Sequence, residues 1–351
     1  MLANLGHSCH LASALRCLFS LRRFSQIMSK PCSYSAADGS RTPDGPTGRW
    51  MLLLSTLWRA MRTDGPSAAG DVMLLFKAIA GDLLEYPNQA PPSRGERAAR
   101  MPTIVREEDA HETMGTILEA AGLDKLVEGA SSAKLVCERC GAVKRVKDRF
   151  TFLTSVSGRS SSGLLAPGPA GGAHGDLSDG VGASLGRETV RGYDCDACSS
   201  LVAPPASCSV RRRVTRFPDV LVVRCVWTEE LGSTAAPMFL DVSGLAGGSS
   251  EAASGPAGGH SGRGRYVLRS ALIHTGTPET GHYKAVDVAR TETTSPRGGL
   301  HETRVRVTIH DDDKSIPAPP DWIARDSLER PVAVRAPGTQ LHSAIYESLS
   351  A

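Results

Sequence analysis

Residues 3–18, ANLGHSCHLASALRCL, put an Asn five positions ahead of Cys9 and set that Cys at the head of an apolar stripe, Leu11, Leu15, Leu18 and Phe19. The spacing is that of one buried helical face, so a helix is expected to open at the Cys. Unpaired backbone N–H groups and the helix dipole at such an N-terminus favour a thiolate. A nearby side-chain amide, here Asn4, is suited to donate a hydrogen bond to an oxyanion. The stretch therefore reads as half of a cysteine-nucleophile site, and it requires a His and a third group elsewhere. Two plainer readings compete. Met1 to Ala37 contains no Asp or Glu, while Arg16, Arg22, Arg23 and Lys30 are basic and Ser is frequent, which is also the composition of a mitochondrial transit peptide. The other is an ordinary buried Cys. The rest of the chain has to choose.

With 351 residues there is room for one large domain or two ordinary ones. Apolar residues make up 40% of the chain, and 36 Gly and 22 Pro imply a real core padded by long loops. No apolar run approaches the ~20 residues of a membrane helix, and no signal peptide of ordinary design is present, so no membrane partner is expected. A net charge of +3 does not argue for nucleic acid either, and Arg211-Arg212-Arg213 reads as a solvated face. Nine Cys, an odd number, argue against a secreted disulfide framework and for reduced thiols, hence a cytoplasmic or nuclear protein.

A Cys-bearing helix over 1–23 is followed by a loop over 33–48 and helices around 49–63 and 71–86. A Pro-rich loop over 88–101 precedes an acidic-headed helix over 107–122, whose face is Ala110, Met114, Ile117, Leu118 and Ala121. From about 134 onward the pattern is β-branched runs bounded by turn residues. Helices first and strands later give an α+β fold class. Two low-complexity stretches, 157–186 and 243–264, are expected as surface insertions.

Cys137-Glu-Arg-Cys140 and Cys195-Asp-Ala-Cys198 are two CxxC knuckles. Facing each other they would close a tetrahedral Cys₄ site for structural zinc, with no open position for catalysis. Farther on, ALIHTGTPETGHYKAVDV (271–288) reads as a hairpin carrying His274 and His282. His282 follows Gly281 at the head of a strand, where a Gly admits close approach of another backbone. The strand VRVTIHDDDK then ends in Asp311, Asp312 and Asp313, and one acid there is suited to orient an imidazole.

The order of these features resembles the ubiquitin-specific protease family of deubiquitinases along nearly the whole chain. Asn4 to His10 (NLGHSCH) is similar to its Cys box, Glu108-Asp109-Ala110-His111-Glu112 to its QDAxE box, Gly281-His282-Tyr283 to its His box, and Asp311-Asp312 to its strand-end acids. The resemblance implies one catalytic domain of papain-like fold. Its parts would be a helical thumb (1–130), fingers tipped by a Cys₄ zinc site (131–230) and a β-rich palm (231–351). It implies Cys9 as nucleophile, His282 as base and acid, Asp311 as orienting acid, and Asn4 with the Cys9 backbone N–H as oxyanion hole. It also implies Asp109, Glu112 and Tyr283 as contacts for ubiquitin's Arg-rich tail, and ubiquitin and ubiquitinated proteins as partners of a monomer.

Several positions depart from the family pattern: His7, His10, Ala12, Arg16 and Thr113, and the Arg-Cys-Val-Trp that follows FPDVLVV. The last strand leaves the register of the third member open by one residue, to His310 or Asp312. A ubiquitin-binding pseudoenzyme and a zinc-stabilised interaction module are the alternative functions.

Overall fold

The structure is a computed structural model. It describes residues 2, 8–30, 46–62, 66–85, 109–155, 177–198, 206–226, 235–245, 264–277, 280–293, 302–325, 331–334 and 339–349. The loops expected at 33–48 and 88–101 fall wholly or mostly outside these residues, as do Asn4 and Glu108.

The apolar stripe at the N-terminus forms α1 (Cys9–Ser20), with Leu11, Leu15 and Leu18 buried. The expected single helix to residue 23 stops sooner. Leu21 is extended at φ −73°, ψ 129°, and α2 (Arg22–Ser29) starts anew, which turns Phe24 and Met28 into the core. α3 (Pro46–Arg62) and α4 (Pro66–Glu85) each begin at a Pro, earlier than the periodicity alone predicts. Proline's fixed φ and missing N–H suit a first turn. α5 (Ala110–Ala120) begins after Asp109, whose carboxylate accepts from the backbone N–H groups of His111 (2.7 Å) and Glu112 (3.4 Å). Asp109 is thus the N-cap and not part of an acidic first turn.

The strands follow: β1 (Gly129–Cys137), β2 (Val143–Phe150), β3 (Leu153–Ser155), β4 (Arg187–Tyr193), β5 (Ala206–Arg216), β6 (Val220–Cys225), β7 (Ala236–Pro237) and β8 (Phe239–Asp241). After them come β9 (Arg265–Gly276), β10 (Gly281–Thr293), β11 (Glu302–Asp311), β12 (Lys314–Pro317), β13 (Ile323–Arg325), β14 (Pro331–Val334) and β15 (Gln340–Ser348). Between β3 and β4, the stretch taken for a featureless insertion holds a helix, α6 (Leu177–Ser184). Leu177 and Val181, one turn apart, bury against the sheet, and that packing overrides a Gly- and Ser-rich composition. Of 243–264, only Ser243–Leu245, a 3-10 turn, and Gly264 are described.

Two sheets matter for function. The finger sheet runs β2-β1-β5-β4, all antiparallel. The palm sheet runs β12-β11-β10-β9-β15-β6-β3, with β8 on β9. Its two faces are both covered. Val220, Val222, Leu272, Ala285 and Ile345 pack on the helices, while Leu221, Val223, Ala271, Ile273 and Val286 pack on α6, Trp322 and β8. Burial on both sides explains why VLVVRC reads as a continuous apolar run and not an alternating one. The class is α+β, as the sequence leads one to expect.

Candidate active site

α1 lays its buried face on β9 and β10 and so carries Cys9, its first residue, to the head of β10. Cys9 is buried, and Ser8 before it accepts the first intrahelical bond from Ala12 at 3.0 Å. His282 is the second residue of β10. Its neighbour Gly281 lies opposite Gly276 of β9. A Cβ at Gly281 would meet the His274 ring, with Nε2 at 2.5 Å, and the Thr275 carbonyl. Gly276 itself has φ +129°, a conformation that favours glycine. This Gly pair lets β9 and β10 close tightly under His282.

The carboxylate nearest His282 comes from the β11–β12 hairpin. Asp311 pairs with Lys314 across a two-residue turn in which Asp312 has φ 51°. The hairpin tip delivers the Asp311 carboxylate to the head of β10. Asp311 Oδ1 lies 2.7 Å from His282 Nε2, whereas Asp312 Oδ2 lies 3.9 Å away. His310 sits on the opposite face of β11 and bonds Ser315 Oγ at 2.8 Å through Nδ1. Burial, reinforced by Arg16, lowers its pKa to about 4. With Nε2 turned to Asp311, the ring nitrogen left to face a thiol is Nδ1. A hydrogen bond with the Cys9 side chain raises His282 to about 9; burial opposes the rise, and Asp311 adds to it.

Lys284 was not singled out in the sequence. Its Nζ bonds the second Asp311 oxygen at 2.7 Å, and with His282 it holds Asp311 below the ordinary carboxylate range although burial works the other way. The signal was available, since Lys284 lies two residues beyond His282 on the same strand face. His282, Asp311 and Asp312 bring their ligand atoms within 4.8 Å of one another, a spacing a metal ion would accept. The Lys284 ammonium already supplies the cation there.

Asp109 is engaged inside the chain. Besides capping α5, its Oδ2 meets Arg224 Nη2 at 2.9 Å and His342 Nε2 at 3.3 Å. Burial works against ionisation, yet His342, the His111 N–H and Arg224 hold Asp109 well below the usual range. Arg224 and His342 were not anticipated, because they reach Asp109 from β6 and β15, more than a hundred residues away in sequence. Tyr283 stacks between His274 (ring centroids 4.5 Å apart) and His342 (5.2 Å), and burial pushes its phenol upward. Glu112 is exposed on the first turn of α5. Of the three expected tail contacts, Glu112 is the carboxylate open to solvent.

At the finger tip, Cys137 and Cys140 meet Cys195 and Cys198. The Sγ atoms of Cys137 and Cys198 are 3.7 Å apart, and those of Cys140 and Cys195 3.6 Å. Four sulfurs at 2.3 Å from a tetrahedral zinc ion stand about 3.8 Å from each other. These separations fit that shell and far exceed a disulfide's ~2.05 Å. Backbone N–H groups of Cys140 and Arg139 pull the Cys137 thiol below its ordinary value. Hydrogen bonding to Cys140 and burial push Cys198 up to about 12.

His282 and Asp311 thus meet at the head of β10, beside the N-terminus of the helix that Cys9 opens. The chain belongs to the ubiquitin carboxyl-terminal hydrolase family, whose profile matches residues 1–314. Among solved structures it is similar to the SAGA DUB module Ubp8/Sgf11/Sus1/Sgf73 bound to monoubiquitin, with 15% identity and a TM-score of 0.59. That match covers 99% of this chain and 68% of the other. It is also similar to the same module bound to ubiquitin aldehyde, at 15% identity and a TM-score of 0.57, covering 99% and 69%. These likenesses are of fold. No curated protein sequence matches the chain.

Proposed function

We propose that this protein is a deubiquitinating cysteine protease that hydrolyses the isopeptide or peptide bond after ubiquitin's C-terminal Gly. The observation that carries the reading is the setting of His282, whose Nε2 lies 2.7 Å from Asp311 Oδ1 at the head of β10, the strand against which α1 lays its Cys9-headed face. Family membership and ubiquitin-bound neighbours of the same fold support it. Cys9 attacks the carbonyl as a thiolate while His282 holds the proton. The Cys9 backbone N–H, at the helix N-terminus, and Asn4 steady the oxyanion, each such donor being worth roughly 10² to 10³ in rate. His282 then protonates the departing lysine amine, and a water activated by the same ring hydrolyses the thioester. Asp311 fixes the ring, and Lys284 fixes Asp311. Exposed Glu112 would make a charge-assisted bond to an arginine of the ubiquitin tail, with Tyr283 as a further contact.

Cys137, Cys140, Cys195 and Cys198 would hold zinc, which when bound ties the two finger hairpins into one tip. The free thiols suit a reducing compartment, cytoplasm or nucleus.

The test is intact-mass analysis after mixing with ubiquitin that carries a C-terminal thiol-reactive group. A single adduct, lost in Cys9→Ala, is expected. No adduct from folded, zinc-loaded protein would sink the reading.

A further inference from the structure

The finger strands concentrate positive charge that the whole-chain balance hides. β1, β2, β4 and β5 together hold eleven Lys and Arg against two acids, in a chain whose net charge is +3. The register sorts these cations by face, since directly opposed residues of an antiparallel pair project to the same side. Arg145 of β2 faces Lys134 of β1, Lys134 faces Arg211 of β5, and Arg211 faces Arg187 of β4. One unbroken row of four cations therefore crosses the sheet. The next row along the same face holds Lys147, Ser132 and Arg213. Arg149 and Arg216, in the third row, are both neutralised by Glu128. On the other face Arg212 pairs with Glu188 at 2.6 Å, and Lys144 with Asp196 at 2.9 Å.

The six cations of the first two rows have no carboxylate partner among the described residues; Arg187 bonds only the Ser209 hydroxyl, at 2.8 Å. At the β4–β5 end, Arg187, Arg211 and Arg213 also line a cleft of about 420 Å³ that is shared with Leu185, Leu245 and Arg212. Like charges placed directly opposite one another destabilise a sheet. A row of four is a cost to folding that an anionic partner would relieve.

We infer that this face of the finger sheet binds the phosphate backbone of double-stranded nucleic acid. Arg guanidinium forks match phosphate bidentately. The uncharged positions among the cations are Ala130, Ser132, Val136, Val143, Ser209 and Thr189, which offer no aromatic anchor. Protein partners are usually held by buried aromatic anchors, and single strands by stacked aromatics. A strongly positive surface without either has the composition of a duplex-backbone contact. Rows two residues apart repeat every ~6.7 Å along each strand, so several phosphates are met at once.

The experiment is fluorescence anisotropy of a labelled 20-base-pair duplex with the full zinc-loaded chain, titrated over a range of salt. Wild type is expected to bind with a log–log salt slope of roughly −5, at about −0.9 for each of six phosphate contacts. Lys134→Glu/Arg145→Glu/Arg211→Glu is expected to flatten the slope by about three and to weaken binding at least tenfold at moderate salt. The milder triple Gln variant is expected to move in the same direction. Arg22→Glu/Lys30→Glu/Lys125→Glu makes the same net charge change away from the sheet and is expected to bind like wild type. Ubiquitin-adduct formation reports that each variant is folded, and it is expected to persist in all of them. The inference is overturned if wild type does not bind, if the control triple loses as much affinity as the finger triple, or if the finger triple keeps its duplex affinity. It is also overturned if the finger triple loses ubiquitin reactivity alone, which would set the cationic face against ubiquitin instead.

Discussion

Asp311→Asn separates the charge of the third member from its hydrogen bond. The amide oxygen still accepts from His282 Nε2, so the ring keeps its orientation, but the negative charge 2.7 Å away is gone. His282 stands at about 9 against an ordinary 6.5, and Cys9 is the larger contributor to the rise. The carboxylate's part is the smaller of the two, and it favours the imidazolium. Since kcat/KM follows the free enzyme, its descending limb tracks His282 losing its proton. Removing a group that raises the pKa moves that limb down from near pH 9. Activity at pH 7 should fall less than tenfold. In Asp311→Ala, where the ring also loses its anchor, the loss should be on the order of 10²-fold, the scale of a misplaced reacting group. Asp312→Asn, at 3.9 Å, should move the limb in the same direction but less. The assay is the pH dependence of kcat/KM on ubiquitin with a C-terminal fluorogenic amide. An unmoved limb in Asp311→Asn, or a larger shift in Asp312→Asn, would refute the assignment of the third member.

Lys284→Met removes a cation from the same carboxylate, so the limb should move upward, the opposite sign to Asp311→Asn. Gly281→Ala drives a methyl into the His274 ring and the Thr275 carbonyl, and it should lower kcat by tenfold or more and lower the thermal midpoint as well. Titration with a chromogenic chelator should release one zinc per chain, and Cys140→Ser should abolish that release and lower the melting temperature. His111 is buried and held neutral, its pKa lowered to about 4 by burial. Its unfolded form takes up a proton first, so its stability penalty is absent above about pH 6.5 and complete below about pH 4. Chemical denaturation should show about 3 kcal/mol lost across that window, and His111→Gln should remove most of it.

What the sequence revealed was local. The Cys9 helix shows in its i, i+4 leucines, the knuckles in their CxxC spacing, and the His282 hairpin in two glycines and a β-branched run. What stayed hidden depended on residues far apart in the chain. Asp109 shows as an acid at a helix head, but nothing nearby announces that Arg224 and His342 converge on it. α6 was hidden because its composition is that of a loop and only burial of Leu177 and Val181 makes it a helix. The cationic row was hidden for a related reason. Arg211-Arg212-Arg213 is three residues in sequence, but its meaning depends on register, which sends Arg212 to an ion pair and aligns Arg211 with strands 24 to 77 residues earlier. The choice among His310, Asp311 and Asp312 is likewise a matter of which face of β11 each occupies.

β15 lies between β9 and β6, pairing with both, and its Glu347 bonds the backbone of Arg23 at 2.8 Å and the Arg269 guanidinium at 2.7 Å. On the ribosome this arrangement imposes a schedule. β6 leaves the exit tunnel more than a hundred residues before its partner, an interval of about 10 s at ordinary elongation rates. Through that interval β6 lacks its β15 partner, and β9 lacks it from the time it is made. Closure of the palm sheet therefore waits for residues 340–348, the strand that joins β6 to β9.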